Sequence, residues 1–177
     1  MDKQPEFVGK IITVEVRRIT LPNGHQMEME VVHHPGGAAV AALNDRGEIC
    51  LLKQYRCVFN EWLWEIPAGK RDHQEPPLAT AQRELAEEAG VLARQWTALG
   101  SMLSSPGVFG ERVYLYLAQR LSSTTACVAQ DEVLQVHWVA LADTVRWVMK
   151  GDIMDAKSVI AILKAAQLIK TGEIQAP

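Results

Sequence analysis

Gly69-Lys70-Arg71-Asp72-His73-Gln74-Glu75-Pro76-Pro77-Leu78-Ala79-Thr80-Ala81-Gln82-Arg83-Glu84-Leu85-Ala86-Glu87-Glu88-Ala89-Gly90-Val91 is the stretch that decides how this chain is read. Pro76 and Pro77 suit the start of a helix, because the first turn needs no N–H donors from those positions. From there to Ala89 the residues are mostly good helix formers, Thr80 being the weak exception. Gly90 stands where a left-handed C-terminal residue is wanted. The i, i+3, i+4 spacing of Glu84, Glu87 and Glu88 puts their carboxylates on one helix face. Leu78, Ala81, Leu85 and Ala89 form an apolar stripe about a quarter turn away, suited to packing on a sheet.

Three clustered acids repel one another, and Arg83 is the only cation on this helix. A hard divalent cation with oxygen ligands relieves that repulsion, and Mg²⁺ commonly binds through few carboxylates plus substrate phosphates. An isolated Glu-x-x-Glu-Glu is ordinarily a solvated acidic face. Here the acids arrive with Gly69, Glu75, Arg83 and Gly90 at set offsets, which favours a metal site.

Outward from this stretch, the periodicity predicts a strand over residues 9–20, the Pro22-Asn23-Gly24 hairpin turn with Asn-Gly as its favoured pair, and a return strand from Met27 to Val32. Two more strands, Ala38 to Leu43 and Glu48 to Gln54, flank the turn Asn44-Asp45-Arg46-Gly47. Trp64 to Ile66 lead into the helix stretch. Trp96 to Ser101, Arg112 to Gln119 and Val133 to Val139 read as strands, and helices near 141–150 and 156–170 close the chain. Mixed strands and helices indicate an α/β or α+β sandwich. Trp96, Trp138 and Trp147 read as core; Trp62 and Trp64 lie close to the candidate site.

Length and composition fit a compact enzyme. The 177 residues, 48% of them apolar with a net charge of −3, are enough for one domain with a buried core and exclude disorder or a general affinity for nucleic acid. Cys50, Cys57 and Cys127 have no metal-like spacing and read as reduced thiols. No run approaches the ~18 apolar residues of a membrane span, and the N-terminal MDKQPEF lacks an apolar signal core. The expectation is a soluble, cytoplasmic protein without membrane or nucleic-acid partners.

The spacing of Gly69, Glu75, Arg83-Glu84-Leu85, Glu87-Glu88 and Gly90 matches the Nudix box without departure, and the chain resembles the Nudix hydrolases. These are metal-dependent enzymes that cleave nucleoside diphosphates linked to another group. The flanks resemble the ADP-ribose pyrophosphatase branch: Gln54-Tyr55-Arg56, Trp64-Glu65-Ile66-Pro67-Ala68-Gly69-Lys70, Pro106 and Gly107 downstream, and Glu111 beyond them. His34-Pro35-Gly36-Gly37 and the run Asp155 to Ala161 are similar to the branch as well. The resemblance implies the Nudix fold, an α/β/α sandwich with a mixed sheet. It implies an N-terminal β-hairpin extension over 1–36, serving dimerisation and the nucleoside pocket, and a catalytic domain over 37–177.

Residue by residue, the resemblance implies Mg²⁺, or Mn²⁺ in its stead, on Glu84 and Glu88 with Glu87 beside them and the Ala68 carbonyl as another ligand. Glu75 and Arg83 hold the loop and helix in place, Arg83 thereby standing in the catalytic group with Glu87. Arg56 reaches a substrate phosphate, a task suited to a permanently charged fork of donors. Glu65, Lys70, Pro106, Gly107, Glu111 and Met29 are the remaining substrate-binding candidates. A base is expected from the loop Ser122 to Asp131 or its end, Asp131-Glu132, and Glu132 aligns best. The implied reaction converts ADP-ribose and water into AMP and ribose 5-phosphate. Relatives pair through their N-terminal strands, so a homodimer is expected.

Some residues depart from the branch. Val108 follows Gly107 where an aromatic is usual, although Phe109 comes next. The N-terminal hairpin offers Met27, Met29, His33 and His34 but no aromatic platform for adenine. Two alternatives therefore stand: a Nudix pyrophosphatase acting on GDP-sugars, NADH or dinucleotides, and a non-catalytic module that binds ADP-ribose. The intact box speaks against the second.

Overall fold

The computed structural model describes residues 5–72, 75–129 and 132–175. Its elements are β1 (Phe7–Val8), β2 (Thr13–Thr20), β3 (Gln26–His33), β4 (Gly37–Ala42), β5 (Glu48–Arg56), β6 (Glu61–Glu65), β7 (Ala68–Lys70), α1 (Pro77–Ala89), β8 (Val91–Ser105), β9 (Phe109–Ser123), β10 (Leu134–Ala140), α2 (Leu141–Lys150) and α3 (Ala156–Lys170).

The long strand β9 organises the larger, mixed sheet. β8 runs antiparallel along one side of β9, and β4 runs parallel on the other, with Gly37 opposite Val113 and Ala42 opposite Ala118. β3 joins β9 on the same edge as β4, one step earlier, at Val32 opposite Phe109. Between β3 and β4 the chain kinks at Gly36, with φ +79°, where a Cβ would stand 2.6 Å from the Arg112 carbonyl oxygen. Only glycine fits that close approach. β7 and the β1–β2 extension complete the sheet, while β10, β5 and β6 form a separate antiparallel sheet.

β4 shows why the molecule is layered. Every residue in it is buried, and its side chains alternate between two cores. Ala38, Val40 and Ala42 pack with Ala81 and Leu85 of α1, whereas Ala39 and Ala41 pack with Ala161, Ile162 and Ala165 of α3. The sheet thus lies between two helices, and the expected α/β/α sandwich is the fold. Trp96 and Trp138 pack partly buried on the first core, and Trp64 and Trp147 on the second.

Several details differ from the sequence expectations. The hairpin turn is Leu21–Gly24, closed by Gly24 N–H donating to the Leu21 carbonyl at 2.8 Å. Gly24 alone has positive φ, so Pro22 and Asn23 are the central residues and the Asn-Gly pair is not. β8 starts five residues before Trp96 and reaches Ser105, because bulges at Ala98/Gly100 and Leu103/Ser105 break the alternation that marks a strand in sequence. Leu78 is 37% exposed and leaves the expected apolar stripe. Thr80 is fully buried beside Ala81, its hydroxyl donating to Glu75 at 2.8 Å. No helix among the described residues is long and apolar enough to cross a membrane, and Cys50, Cys57 and Cys127 are free thiols.

Candidate active site

α1 is started by Pro76 and Pro77 and ended by Gly90 in the left-handed conformation, φ 64°, whose N–H reaches back to Ala86 at 3.1 Å. The helix buries Ala81 and Leu85 against β4, and this orientation carries Glu84 and Glu88 inward with them. Glu88 is 2% exposed and accepts a hydrogen bond from the Ala68 N–H at 2.8 Å. Glu84 lies against Gly69: a Cβ there would fall 2.0 Å from Glu84 Oε1. Gly69 is bare because the carboxylate occupies the space.

Arg83 fastens the loop to the helix. It donates to Glu75 at 3.1 Å, Glu84 at 2.7 Å, Glu87 at 3.1 Å and the Lys70 carbonyl at 3.1 Å. Arg71 adds a hydrogen bond to the Glu75 carbonyl at 2.8 Å. The Arg83 hydrogen bond, aided by Thr80, holds the Glu75 carboxyl below its usual range.

Glu84 and Glu87 open onto a cleft of 790 Å³, whereas Glu75 and the buried Glu88 lie outside its lining. Ala68, Gly69, Lys70, Arg83, Glu84 and Glu87 line one wall. Arg56 and the start of α3, Asp155 to Lys157, form another part of the lining, and Cys127, Ala129 and Glu132 a third. His34, Ser104 and Glu111 make a polar corner: Glu111 accepts from the Ser104 hydroxyl and lies 3.3 Å from His34 Nδ1. Ile11, Met102 and Val113 supply the apolar lining. A smaller groove of 580 Å³, lined by Leu43, Asp45, Arg94 and Arg120 among others, contains none of the box residues.

The donor set fits a hard cation in charge and chemistry. Burial pushes the Glu88 carboxyl up to about 8, with Glu84 and Glu132 adding to the effect and the Ala68 N–H opposing it. Burial also raises Glu84, although Arg83 works against it. A buried cluster of oxygen ligands this reluctant to ionise is stabilised by a divalent ion. Among the described residues no three acidic, His or Cys side chains converge as a finished cage. Arg83 holds Glu84 and Glu87, and Ala68 holds Glu88, so an ion would complete its shell with water or substrate oxygens.

The other candidates fall in different places. Glu65 is 2% exposed and lies behind the cleft wall, where it accepts from Arg56 Nε and Nη2, both at 2.7 Å, and from Lys157 Nζ at 2.5 Å. Pro106 and Gly107 form the exposed β8–β9 tip, outside the lining, because β8 and β9 stay paired as far as Ser105 and Phe109. Met29 lies opposite Arg17 on β3 and also outside the lining of its own chain's cleft. Asp131 lies outside the described residues.

The sequence reading did not single out Lys157, Asp155, Ser104 or Ile11 as site residues. The available signal was Asp155-Ala156-Lys157-Ser158, a helix-capping pattern: Asp155 accepts from the Ser158 N–H at 3.0 Å. The Ser158 hydroxyl, fully buried, accepts from the Ile66 N–H at 2.9 Å. This ties the start of α3 to the segment before the box and brings Lys157 to the cleft.

A layered sandwich with a box helix presenting buried acids to a cleft defines a class, and the chain belongs to it: residues 33–160 match the NUDIX domain, and this is a member of the Nudix family. Two of its relatives carry the name of the branch that the sequence resembles. It is 39% identical to an ADP-ribose pyrophosphatase of Bacillus subtilis (strain 168), over 90% of this chain and 88% of the relative. It is 35% identical to an ADP-ribose pyrophosphatase of Mycobacterium tuberculosis (strain ATCC 25618 / H37Rv), over 94% and 82%. It is also 36% identical to a methanol dehydrogenase activator of Bacillus methanolicus, over 88% and 85%. A solved structure described as an ADP compounds hydrolase superposes with a TM-score of 0.82 at 22% identity, covering 96% of this chain and 92% of that one, which supports the fold.

Proposed function

We propose that the protein hydrolyses the diphosphate of ADP-ribose, or a related ADP-sugar, to AMP and the sugar phosphate with Mg²⁺. The observation that carries this reading is the cleft itself: the box acids Glu84 and Glu87, Arg56, and a polar corner of His34, Ser104 and Glu111 line the same cavity. The identity to ADP-ribose pyrophosphatases over most of the chain supports it further.

Glu84, Glu87, Glu88 and the Ala68 carbonyl would hold a divalent cation, which would neutralise diphosphate charge and activate water. Arg56 binds a phosphate oxygen through the guanidinium hydrogens that Glu65 leaves free. Glu132, exposed in the cleft and close enough to raise the carboxyls of Glu84 and Glu88, accepts a proton from the attacking water. The water oxygen bonds to phosphorus, the bridging P–O bond breaks, and ADP-ribose yields AMP and ribose 5-phosphate. Glu111 and Ser104 accept and donate to sugar hydroxyls, and Lys70 adds positive charge at the mouth. Arg83 and Glu75 keep the acids in place. The reaction takes place in the cytoplasm.

The protein acts as a homodimer. Phe7, Val8 and Ile11 are each more than half exposed on the N-terminal extension, an apolar surface suited to a second copy. Pairing through these strands gives Met29, Pro106 and Gly107 a route to a partner's cleft.

A second reading, hydrolysis of NADH or another dinucleotide, is favoured by the aliphatic lining of Ile11, Met102 and Val113, which selects no particular base by stacking. Turnover of ADP-ribose, GDP-mannose, NADH and diadenosine polyphosphates in millimolar Mg²⁺, with Glu88→Gln as control, separates the two. Preferred cleavage of ADP-ribose, lost in the variant, is expected. Preference for NADH transfers the mechanism to the second reading, and binding of ADP-ribose without turnover of any substrate identifies a sensor.

A further inference from the structure

We propose that Lys157 is a second phosphate-binding cation, held beside Arg56 by the buried carboxylate of Glu65 so that the two side chains clasp the substrate diphosphate together. The inference rests on the cleft accepting a nucleoside diphosphate.

The argument begins with where each group stands. Arg56 comes from β5 and Lys157 from the first turn of α3, and both line the cleft. Glu65, at the end of β6, does not: its side chain is 3% exposed and lies behind them. It takes two hydrogen bonds from Arg56 and one from Lys157, so one carboxylate fixes two cations side by side. Asp155 Oδ1 holds Lys157 from the other side at 2.9 Å, and the same residue caps α3. Burial works against the charge on Lys157, but Asp155 and Glu65 outweigh it and keep the ammonium charged.

Donor arithmetic shows capacity left over for a ligand. A guanidinium carries five N–H donors and an ammonium three. Glu65 and Asp155 engage two donors of Arg56 and two of Lys157, leaving hydrogens on both cations that no described protein group accepts. These hydrogens belong to side chains that face the cavity. The Arg56 side chain is 40% exposed and that of Lys157 16%, so these hydrogens are open to solvent or to a ligand anion. Both cations also act electrostatically on Glu88, so the pair sits within reach of the box acids. A diphosphate bound in the cleft would meet Glu84 and Glu87 and these two fixed cations within one lining. Charge-assisted contacts to phosphate of this kind are strong, and the rigid carboxylate brace reduces the entropy lost when substrate binds.

The test compares ligands that differ by one phosphate. Dissociation constants for ADP and AMP are measured by calorimetry with Mg²⁺ for the wild type, Lys157→Met and Lys157→Arg, alongside KM and kcat for ADP-ribose. Lys157→Met is expected to weaken ADP by about tenfold or more and AMP by less than about threefold, with KM rising in step and Lys157→Arg recovering most of the loss. Should Lys157→Met not fold, Lys157→Gln, which can still donate to Glu65, gives the same comparison. Equal weakening of ADP and AMP, or unchanged ADP affinity with a lowered melting temperature, overturns the proposal. Wild-type protein that binds ADP without cleaving any ADP-sugar overturns the activity reading alone, and the Lys157 comparison then still decides this one.

Discussion

The Glu84 carboxylate lies against the α-carbon of Gly69, so close that a methyl group there would stand 2.0 Å from Oε1 and 2.1 Å from the carboxyl carbon. First and middle residues of the box are thus in mutual contact. Gly69→Ala must rotate Glu84 away from its position between β7 and Arg83. We expect kcat to fall by on the order of a hundredfold, the scale of a misplacement near 1 Å, while the melting temperature changes little. Activity close to wild type in this variant would show that Glu84 is not needed where it now lies.

Metal binding is predicted to be visible in stability. An ion that binds only the folded chain adds about 2.7 kcal/mol at a hundredfold excess over its Kd, which raises the melting temperature by roughly 5–10 °C for a chain of this size. Thermal melts with and without Mg²⁺ measure this, and Glu88→Gln is expected to lose most of the increase. An equal increase in both proteins would remove Glu88 from the ligand set.

Acid stability depends on Glu65. Burial alone would raise its carboxyl, but the hydrogen bonds from Arg56 and the charge of Lys157 hold it at about 2 against an ordinary 4.5. A carboxyl that is lower in the folded chain contributes stability above the unfolded value and loses it as pH falls toward the folded one. The full difference corresponds to about 3 kcal/mol, of which roughly 2 kcal/mol is lost by about pH 3. Urea unfolding from about pH 6 to pH 3 is expected to show that loss in the wild type and a flatter acid limb in Glu65→Gln. Parallel limbs would mean the brace is not ionised in the way described.

The proposed homodimer is checked by light scattering at micromolar concentration, where the expected mass is twice the 19.6 kDa of one chain. Replacing Phe7 and Val8 with serine is predicted to lower that mass by removing exposed apolar surface. A monomer mass for the wild type would overturn the dimer and leave Met29 and the β8–β9 tip without a substrate role.

Local rules made the box helix legible. Two prolines, a run of helix formers, three acids at helical spacing and a terminal glycine are short-range signals, and α1 runs from Pro77 to Ala89 with Gly90 left-handed. The sandwich class followed from mixed strands and helices. The length of β8 was not legible, because its bulges reset which side chains face the core. Nor was the burial of Thr80 in place of Leu78, since helical phase alone does not say which side of a stripe meets the sheet.

By itself the sequence determined the box acids and, through their spacing, the resemblance to the family; periodicity within single strands indicated an α/β or α+β sandwich, and the layered α/β/α order came with the resemblance. Only the tertiary structure decided which cations stand near those acids. Arg56, Glu65 and Lys157 come from three elements separated by as many as 101 positions in sequence, and no local pattern predicts that one buried carboxylate joins them. That meeting is set by the packing of α3 on β4 and by Ser158 tying α3 to Ile66, contacts whose register emerges only when the sheets are assembled.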